Sequence, residues 1–189
     1  MSARGTAVWG ALVLTAVLAG GCSSQRALFM VERAGDRASS QGNYQEAVSD
    51  YRELVDRAPS VPSYRLKYGR ALLLAGEPHA AREQLENAYT LMPRNEEVID
   101  LLADAMAQSG DADNAVRLLR TIAEDRKQPE DWIRLGLFLM RINDPDGAEA
   151  ALLTAARVDA GQSFRPQWEL ATLYRSIGAD QKALERLRM

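Results

Sequence analysis

The sequence has one cysteine and one histidine among its 189 residues, Cys22 and His79. A single cysteine excludes a disulfide within the chain, so packing alone must hold the fold together. One histidine leaves carboxylates as the main metal ligands, and the sequence contains neither a nucleophile elbow nor a glycine-rich phosphate loop. We therefore expect a protein that is not an enzyme, with no catalytic residue, no metal and no cofactor.

The sequence also has fewer basic than acidic residues. Lysine and arginine number 23 against 26 acidic residues, which gives a net charge of −3. A chain of this charge has neither the electrostatic footprint of a nucleic-acid-binding protein nor a basic patch for anionic lipid. We expect protein partners, with no nucleic acid and no small-molecule substrate.

The one long apolar run lies near the amino terminus, over residues 7–18. It is shorter than the roughly 20 apolar residues that span a bilayer, and small residues follow it, so residues 1–21 are predicted to be a secretory signal peptide. Cys22 comes next, and the arrangement resembles a bacterial lipoprotein signal, in which this cysteine carries acyl chains such as palmitate. Ala19 stands where such signals usually have Leu, Val or Ile. Cleavage by an ordinary signal peptidase, giving a soluble secreted protein, is the alternative.

Five alanines mark a repeat with spacings of 34, 34, 33 and 35 residues. They are Ala47, Ala81, Ala115, Ala148 and Ala183. Five residues before each stands a residue suited to the left-handed conformation that ends a helix. These are Gly42, Gly76, Gly110, Asn143 and Gly178. Apolar residues follow each alanine at helical spacing, which predicts a helical hairpin repeated five times.

A small residue also recurs twelve positions before each alanine, where it would let two helices pack closely. These residues are Gly35, Gly69, Ala103, Gly136 and Ala171. The run Trp132-x-x-Leu135-Gly136-x-x-Leu139 resembles the signature of the tetratricopeptide repeat (TPR). The resemblance implies an all-α solenoid of five helix-turn-helix repeats in a right-handed superhelix. We expect one elongated stack rather than two domains.

The register of the alanines sets the expected boundaries. Pro59, Pro93 and Gly161 end their units, whereas the third unit has only Pro129, two residues late. The last unit has a short second helix, so its outer flank is expected to fray or to dock on a partner. The predicted segments are the signal at 1–21, the lipidated cysteine and a short tether at 22–27, and repeats at 28–61, 62–95, 96–128, 129–163 and 164–189.

The TPR resemblance implies a concave groove lined by the first helix of each repeat. Carried over by register, the candidate partner-binding residues are Phe29, Glu32, Asp36, Leu66, Arg70, Leu73, Glu97, Asp100, Asp104, Ile133, Leu137, Met140, Arg165, Trp168, Thr172 and Arg175. An apolar strip with an acidic cluster would suit a peptide or helix of selected charge. Two alternatives remain open: the apolar residues pack against the next repeat, and the acidic cluster at Glu97, Asp100 and Asp104 is a solvated face.

Some TPR modules hold a carboxylate in a clamp of Lys and Asn. The corresponding positions here are Glu32, Asp36, Lys67, Glu97 and Leu101, of which only Lys67 is basic, so a clamp of that kind is not expected.

The resemblances together imply a scaffold of the cell envelope that is anchored to the membrane through Cys22 and binds envelope proteins, for assembly of an envelope, pilus or secretion machine. By analogy with lipoprotein sorting in Gram-negative bacteria, Ser23 after the cysteine implies the periplasmic face of the outer membrane. A regulatory or recruiting subunit of an envelope enzyme is the alternative, and an enzyme in its own right is the third possibility.

Overall fold

A computed structural model describes residues 25–188. This part of the chain forms ten helices and no strands. The helices are α1 (25–40), α2 (Tyr44–Arg57), α3 (Pro62–Leu74), α4 (Pro78–Leu91), α5 (Glu96–Gln108), α6 (Ala112–Arg126), α7 (Pro129–Arg141), α8 (Pro145–Asp159), α9 (Arg165–Ser176) and α10 (Asp180–Leu187). The all-α prediction is confirmed.

The five predicted helix stoppers all adopt the left-handed conformation, with φ between 62° and 86°. Asn143, the one stopper that is not glycine, has φ of 62°. The turn after α7 shows the geometry: the Asp144 amide donates to the Leu139 carbonyl at 2.9 Å, and the Asn143 amide donates to the Met140 carbonyl at 3.1 Å. These bonds satisfy carbonyls that the end of a helix leaves without a partner. The same pattern therefore ends the first helix of every predicted repeat.

The repeat alanines lie in the core, four of them fully buried and Ala183 only 7% exposed. The small residues of the first helices lie against the residue four positions after the alanine. A Cβ added to Gly136 would come within 2.7 Å of Leu152 Cγ, and a Cβ added to Gly35 would come within 2.7 Å of Tyr51 Cε1. Close helix packing, which the spacing predicted, is therefore the reason for glycine at these two positions.

The described residues divide into two compact units, on either side of the boundary between Glu77 and Pro78. The described part of the first unit holds α1 to α3, with α2 packed on α3. The second unit holds α4 to α10, in which consecutive helices pack on one another. The sequence predicted a single stack. Each repeat of a solenoid contacts only its neighbours, so a solenoid can divide into compact groups of helices. The boundary between the two units falls within the second predicted repeat.

The predicted signal peptide and Cys22 lie outside the described residues. α1 already includes residues 25–27, which were assigned to the tether. No helix within residues 25–188 is long and apolar enough to cross a membrane.

The end of α6 explains the irregular third repeat. Pro129 is the first residue of α7 and does not end α6. Lys127 takes the left-handed conformation instead, with φ of 54°, and its amide donates to the Ala123 carbonyl at 3.0 Å. This conformation costs a residue with a Cβ about 1 kcal/mol or more. Lys127 therefore ends α6 where other repeats have a proline or glycine, and its backbone is strained.

Lys127→Gly is expected to raise the free energy of unfolding by about 1 kcal/mol, because glycine has no Cβ penalty at a left-handed position. Urea unfolding followed by circular dichroism measures the change. The matched control is Gln128→Gly, at a neighbouring residue with extended backbone, φ of −96°. It is expected to lower stability, and an equal gain from both variants would contradict the assignment.

Candidate protein-binding face

A concavity of about 560 Å³ lies in the second unit, where α5, α7 and α9 present side chains to solvent. Its walls combine acidic, basic and apolar groups. The lining residues are Glu96, Asp100, Glu130, Ile133, Arg134, Leu137, Phe138, Met140, Arg141 and Arg165. Five of the candidate groove residues are among them: Asp100, Ile133, Leu137, Met140 and Arg165. These first helices of three repeats therefore form one hollow.

The floor of the hollow is apolar. Ile133 and Phe138 are 1% and 2% exposed, so their side chains belong to the core. The Ile133 side chain is enclosed and offers almost no surface to a partner, which is what the alternative of packing within the stack implies. Leu137 and Met140 are half-buried and supply the apolar area that a partner could cover.

The acidic cluster of α5 is largely paired with arginines of α7. Asp100 Oδ1 lies 2.8 Å from Arg134 Nε, and Asp104 accepts hydrogen bonds from both terminal nitrogens of Arg141. Asp100 and Asp104 are therefore not simply a solvated face, and their proposed charge selectivity stays a prediction. The sequence analysis missed both arginines. The signal that could have found the first pair is spacing, since Asp100 and Arg134 lie one 34-residue repeat apart.

Arg134 is the centre of the ion-pair network. Its Nε, Nη1 and Nη2 atoms contact Asp100 at 2.8 Å, Asp131 at 2.6 Å and Glu96 at 3.0 Å. The Arg134 side chain is 12% exposed and that of Asp131 only 6%. Burial raises the pKa of Asp131, and the positive charges of Arg126 and Arg134 act against it. Arg134 thereby neutralises carboxylates that would otherwise repel one another between α5 and α7.

In the first unit a similar group of ion pairs joins α1 and α3. Lys67 Nζ contacts Glu32 at 2.7 Å and Asp36 at 2.8 Å. Lys67 and Arg134 occupy the same register, fourteen residues before their repeat alanines. Because Lys67 is held by two carboxylates, it is not free to bind the carboxylate of a peptide. This geometry agrees with the expected absence of a clamp.

The Asp36 carboxyl is expected to titrate below the ordinary aspartate pKa of 3.8. Burial raises the pKa of Asp36, but hydrogen bonds from Lys67 and Tyr51 outweigh it and lower the pKa. A depressed pKa means that this contribution to stability is complete above the unfolded value and is lost as pH falls through the folded value. Carboxyl-carbon NMR shifts measured against pH give the value.

The Lys67→Met variant should return the pKa of Asp36 toward or above 3.8, because one hydrogen-bond donor and its charge are removed. An Asp36 titration that does not change in this variant would contradict the ion-pair assignment. Arg57→Met, at an exposed pair with Glu53, is the matched control and should leave Asp36 unchanged.

Two tetratricopeptide repeat models match the sequence, one over residues 33–95 and the other over residues 72–135. Together they span more than half of the chain. The chain belongs to the TPR family. Tetratricopeptide repeats mediate protein–protein interactions, which is the general role this membership assigns.

Solved structures share the TPR fold. A crystal structure of the MamA protein has a TM-score of 0.58 at 21% identity, over 85% of this chain and 88% of MamA. MamA 41-end from Desulfovibrio magneticus RS-1 has a TM-score of 0.59 at 15% identity, over 85% and 91%. A thermophilic TPR protein of Thermus thermophilus has a TM-score of 0.57 at 20% identity, over 84% and 87%. Such identities show the fold alone. No curated protein matches the sequence.

The remaining TPR groove candidates of the first unit have mixed surroundings. Phe29 is 54% exposed, and the Arg33 guanidinium lies 5.7 Å from the centre of its ring. Leu66 and Leu73 are half-buried on α3. Arg70 is exposed and has an interaction partner. These residues remain candidates by register.

The remaining groove candidates of the second compact unit, on α5 and α9, do not line the hollow. Glu97 is exposed with an interaction partner, and Trp168 is 55% exposed. The Thr172 hydroxyl donates to the Trp168 carbonyl at 3.0 Å, which is a bond within α9. Arg175 is exposed near the end of α9. Their proposed role in partner binding stays a prediction.

His79 is the one histidine of this TPR protein and is exposed in the first turn of α4. Within residues 25–188 no group of three or more His, Cys, Asp or Glu side chains is arranged to hold a metal ion. The arrangement offers apolar contact and charge pairing, which are the interactions of recognition.

Proposed function

We propose that this TPR protein is a membrane-anchored, non-catalytic scaffold of the bacterial cell envelope. The concave face of α5, α7 and α9 would hold a peptide or helix of a partner protein, for assembly of an envelope, pilus or secretion machine. The observation that carries the proposal is the open hollow of about 560 Å³ with half-buried Leu137 and Met140 between charged walls. A pocket of this kind fits side chains that project from another protein.

The walls of the hollow are held in place before a partner binds. Arg134 links α7 to α5 through Glu96 and Asp100 and also pairs with Asp131 of its own helix, and Arg141 adds a second link to α5 through Asp104. A prearranged site avoids part of the entropy cost of binding, because fewer side chains must be ordered on association. This rigidity supports recognition of a protein segment by the TPR groove.

Crosslinking in living cells tests the binding face. A photo-crosslinking amino acid at Leu137 should capture a discrete partner, because this side chain lines the hollow. The same group at Thr121, exposed on α6, is the matched control. Equal capture at both positions, or none at Leu137, would reject this face. An assembly component among the captured proteins would support the scaffold, whereas an envelope enzyme would favour the regulatory alternative.

The membrane anchor has its own test. Cys22→Ser should move the protein from the membrane to the soluble fraction, because the acyl chains that the lipoprotein signal implies would have no thiol to occupy. Membrane fractionation with immunoblotting measures the shift. The matched control is Ser23→Ala, which keeps the cysteine. A Cys22→Ser protein that stays with the membrane would exclude a lipid anchor at this position.

A further inference from the structure

We propose that the α5–α7–α9 hollow selects a cationic segment, in which a large apolar side chain is flanked by lysine or arginine. This inference rests on the proposed function and names the chemistry of the partner. It follows from which hydrogen-bonding atoms around the hollow remain available once the internal ion pairs are formed.

Both arginines of α7 already pair with carboxylates of the protein. Each of the three nitrogen atoms of Arg134 contacts a carboxylate, and its side chain is only 12% exposed. Arg141 directs both terminal nitrogens to Asp104 and lies over the Phe138 ring, 5.4 Å from its centre. An acidic partner could therefore reach Arg134 only by breaking existing pairs, whereas at Arg141, whose side chain is 55% exposed, it would compete with Asp104 for the guanidinium.

The carboxylates have capacity to spare. Glu96 contacts Arg134 through Oε2, and Asp100 contacts it through Oδ1, while their side chains are 71% and 51% exposed. Glu130 is exposed and forms no ion pair among residues 25–188. A carboxylate accepts several hydrogen bonds, so these groups can bind ammonium or guanidinium donors without losing their internal contacts.

The apolar floor of the hollow explains why the partner segment also needs a large apolar side chain. Leu137 and Met140 are half-buried beside the acidic wall, and the hollow has room for one or two large side chains. A lysine alone would leave this surface uncovered. A leucine or phenylalanine next to a basic residue covers the floor and reaches the carboxylates together.

The positive charge of Arg165 opposes the binding of a cationic segment. This residue lies at the α9 edge of the hollow, is exposed, and forms no ion pair within the described residues. A cationic segment would be repelled at this edge. Removing the charge with Arg165→Gln should therefore strengthen binding, whereas the same change would weaken binding of an acidic segment.

Three fluorescent eight-residue peptides test the inference by polarisation with the full chain in a non-ionic detergent, against a detergent-only blank. The first combines two leucines with four lysines. The second has glutamate for lysine, and the third has serine for leucine. We expect the first to bind at least about tenfold tighter than either of the others, and added salt should weaken it.

Variants then locate the contact. The double variant Glu96→Gln/Glu130→Gln should weaken the cationic peptide about threefold to tenfold, and Leu137→Ala about tenfold. Glu83→Gln, an exposed carboxylate on α4, is the matched control and should change nothing. Circular dichroism confirms that each variant is folded, and the glutamate variants keep the test valid if Leu137→Ala unfolds.

Tighter binding of the acidic peptide, binding that ignores the glutamates, or no binding of any peptide would overturn the cationic preference. The proposed function fails separately, because crosslinking at Leu137 reports a natural partner whatever its charge. A partner captured there with no preference for the lysine peptide would leave the scaffold in place and remove only this inference.

Discussion

Arg134→Ala is expected to lower the free energy of unfolding by about 2–3 kcal/mol. The side chain is 12% exposed and contacts Asp131, which is 6% exposed, together with two carboxylates of α5. Its removal leaves Asp131 buried with only Arg126, whose nearest contact is 3.6 Å. Removing one partner of a buried pair costs more than the pair contributes, because the remaining charge is stranded away from water. Urea unfolding followed by circular dichroism measures the loss.

Two comparisons separate this effect from the loss of any charge. Arg57→Ala breaks an exposed pair with Glu53 and should cost less than about 0.5 kcal/mol. In an Asp131→Asn background, Arg134→Ala should cost less than in the native chain, because no buried carboxylate is stranded. A loss as small as that of Arg57→Ala would show that the network does not hold α5 and α7 together.

Gly136→Val is expected to lower the free energy of unfolding by about 3 kcal/mol. A Cβ at this position would lie 2.7 Å from Leu152 Cγ and 2.8 Å from Leu152 Cδ2, while Leu152 itself is fully buried. Valine adds two further carbons, so α7 and α8 must move apart or Leu152 must leave its preferred rotamer. Thermal and urea unfolding give the change.

The graded variants show whether steric overlap is the cause. Gly136→Ala should cost about 1 kcal/mol, although alanine favours a helix over glycine by a similar amount. Leu152→Ala makes room, so the double variant with Gly136→Val should be more stable than the two separate losses predict. If Gly136→Ala instead stabilises the protein, the close approach of α7 and α8 is not tight.

Much of the fold could be predicted because its determinants are local. The 34-residue spacing of the alanines predicted the repeated helical hairpin, and the structure places Ala81 and Ala115 in helices α4 and α6, where both are fully buried. The left-handed turns followed from residues that tolerate positive φ, and Asn143 was identified despite having a Cβ. Lys127 was not, since no local preference marks lysine for this conformation. Its left-handed conformation is seen only in the structure, where α6 ends and α7 begins.

The candidate face was predicted less completely. Register brought Asp100, Leu137 and Met140 to one hollow, because equivalent positions of successive repeats face the same side. Register alone did not separate Ile133, which is 1% exposed, from Leu137, which is half-buried. The register also did not show that the arginines of α7 would pair with the acidic residues of α5. A long arginine side chain can reach several carboxylates, and only the packing of the helices determines which of them it contacts.

The sequence by itself determined the repeat, the helix ends and the small residues at the helix contacts, because each depends on a few neighbouring residues and their backbone preferences. Only the tertiary structure decided which charges are paired within the molecule and which remain for a partner. Arg134 and Glu130 stand four residues apart on one helix, yet one is enclosed by three carboxylates and the other is exposed. That difference arises chiefly from α5, which supplies two of the three carboxylates from a distant part of the sequence.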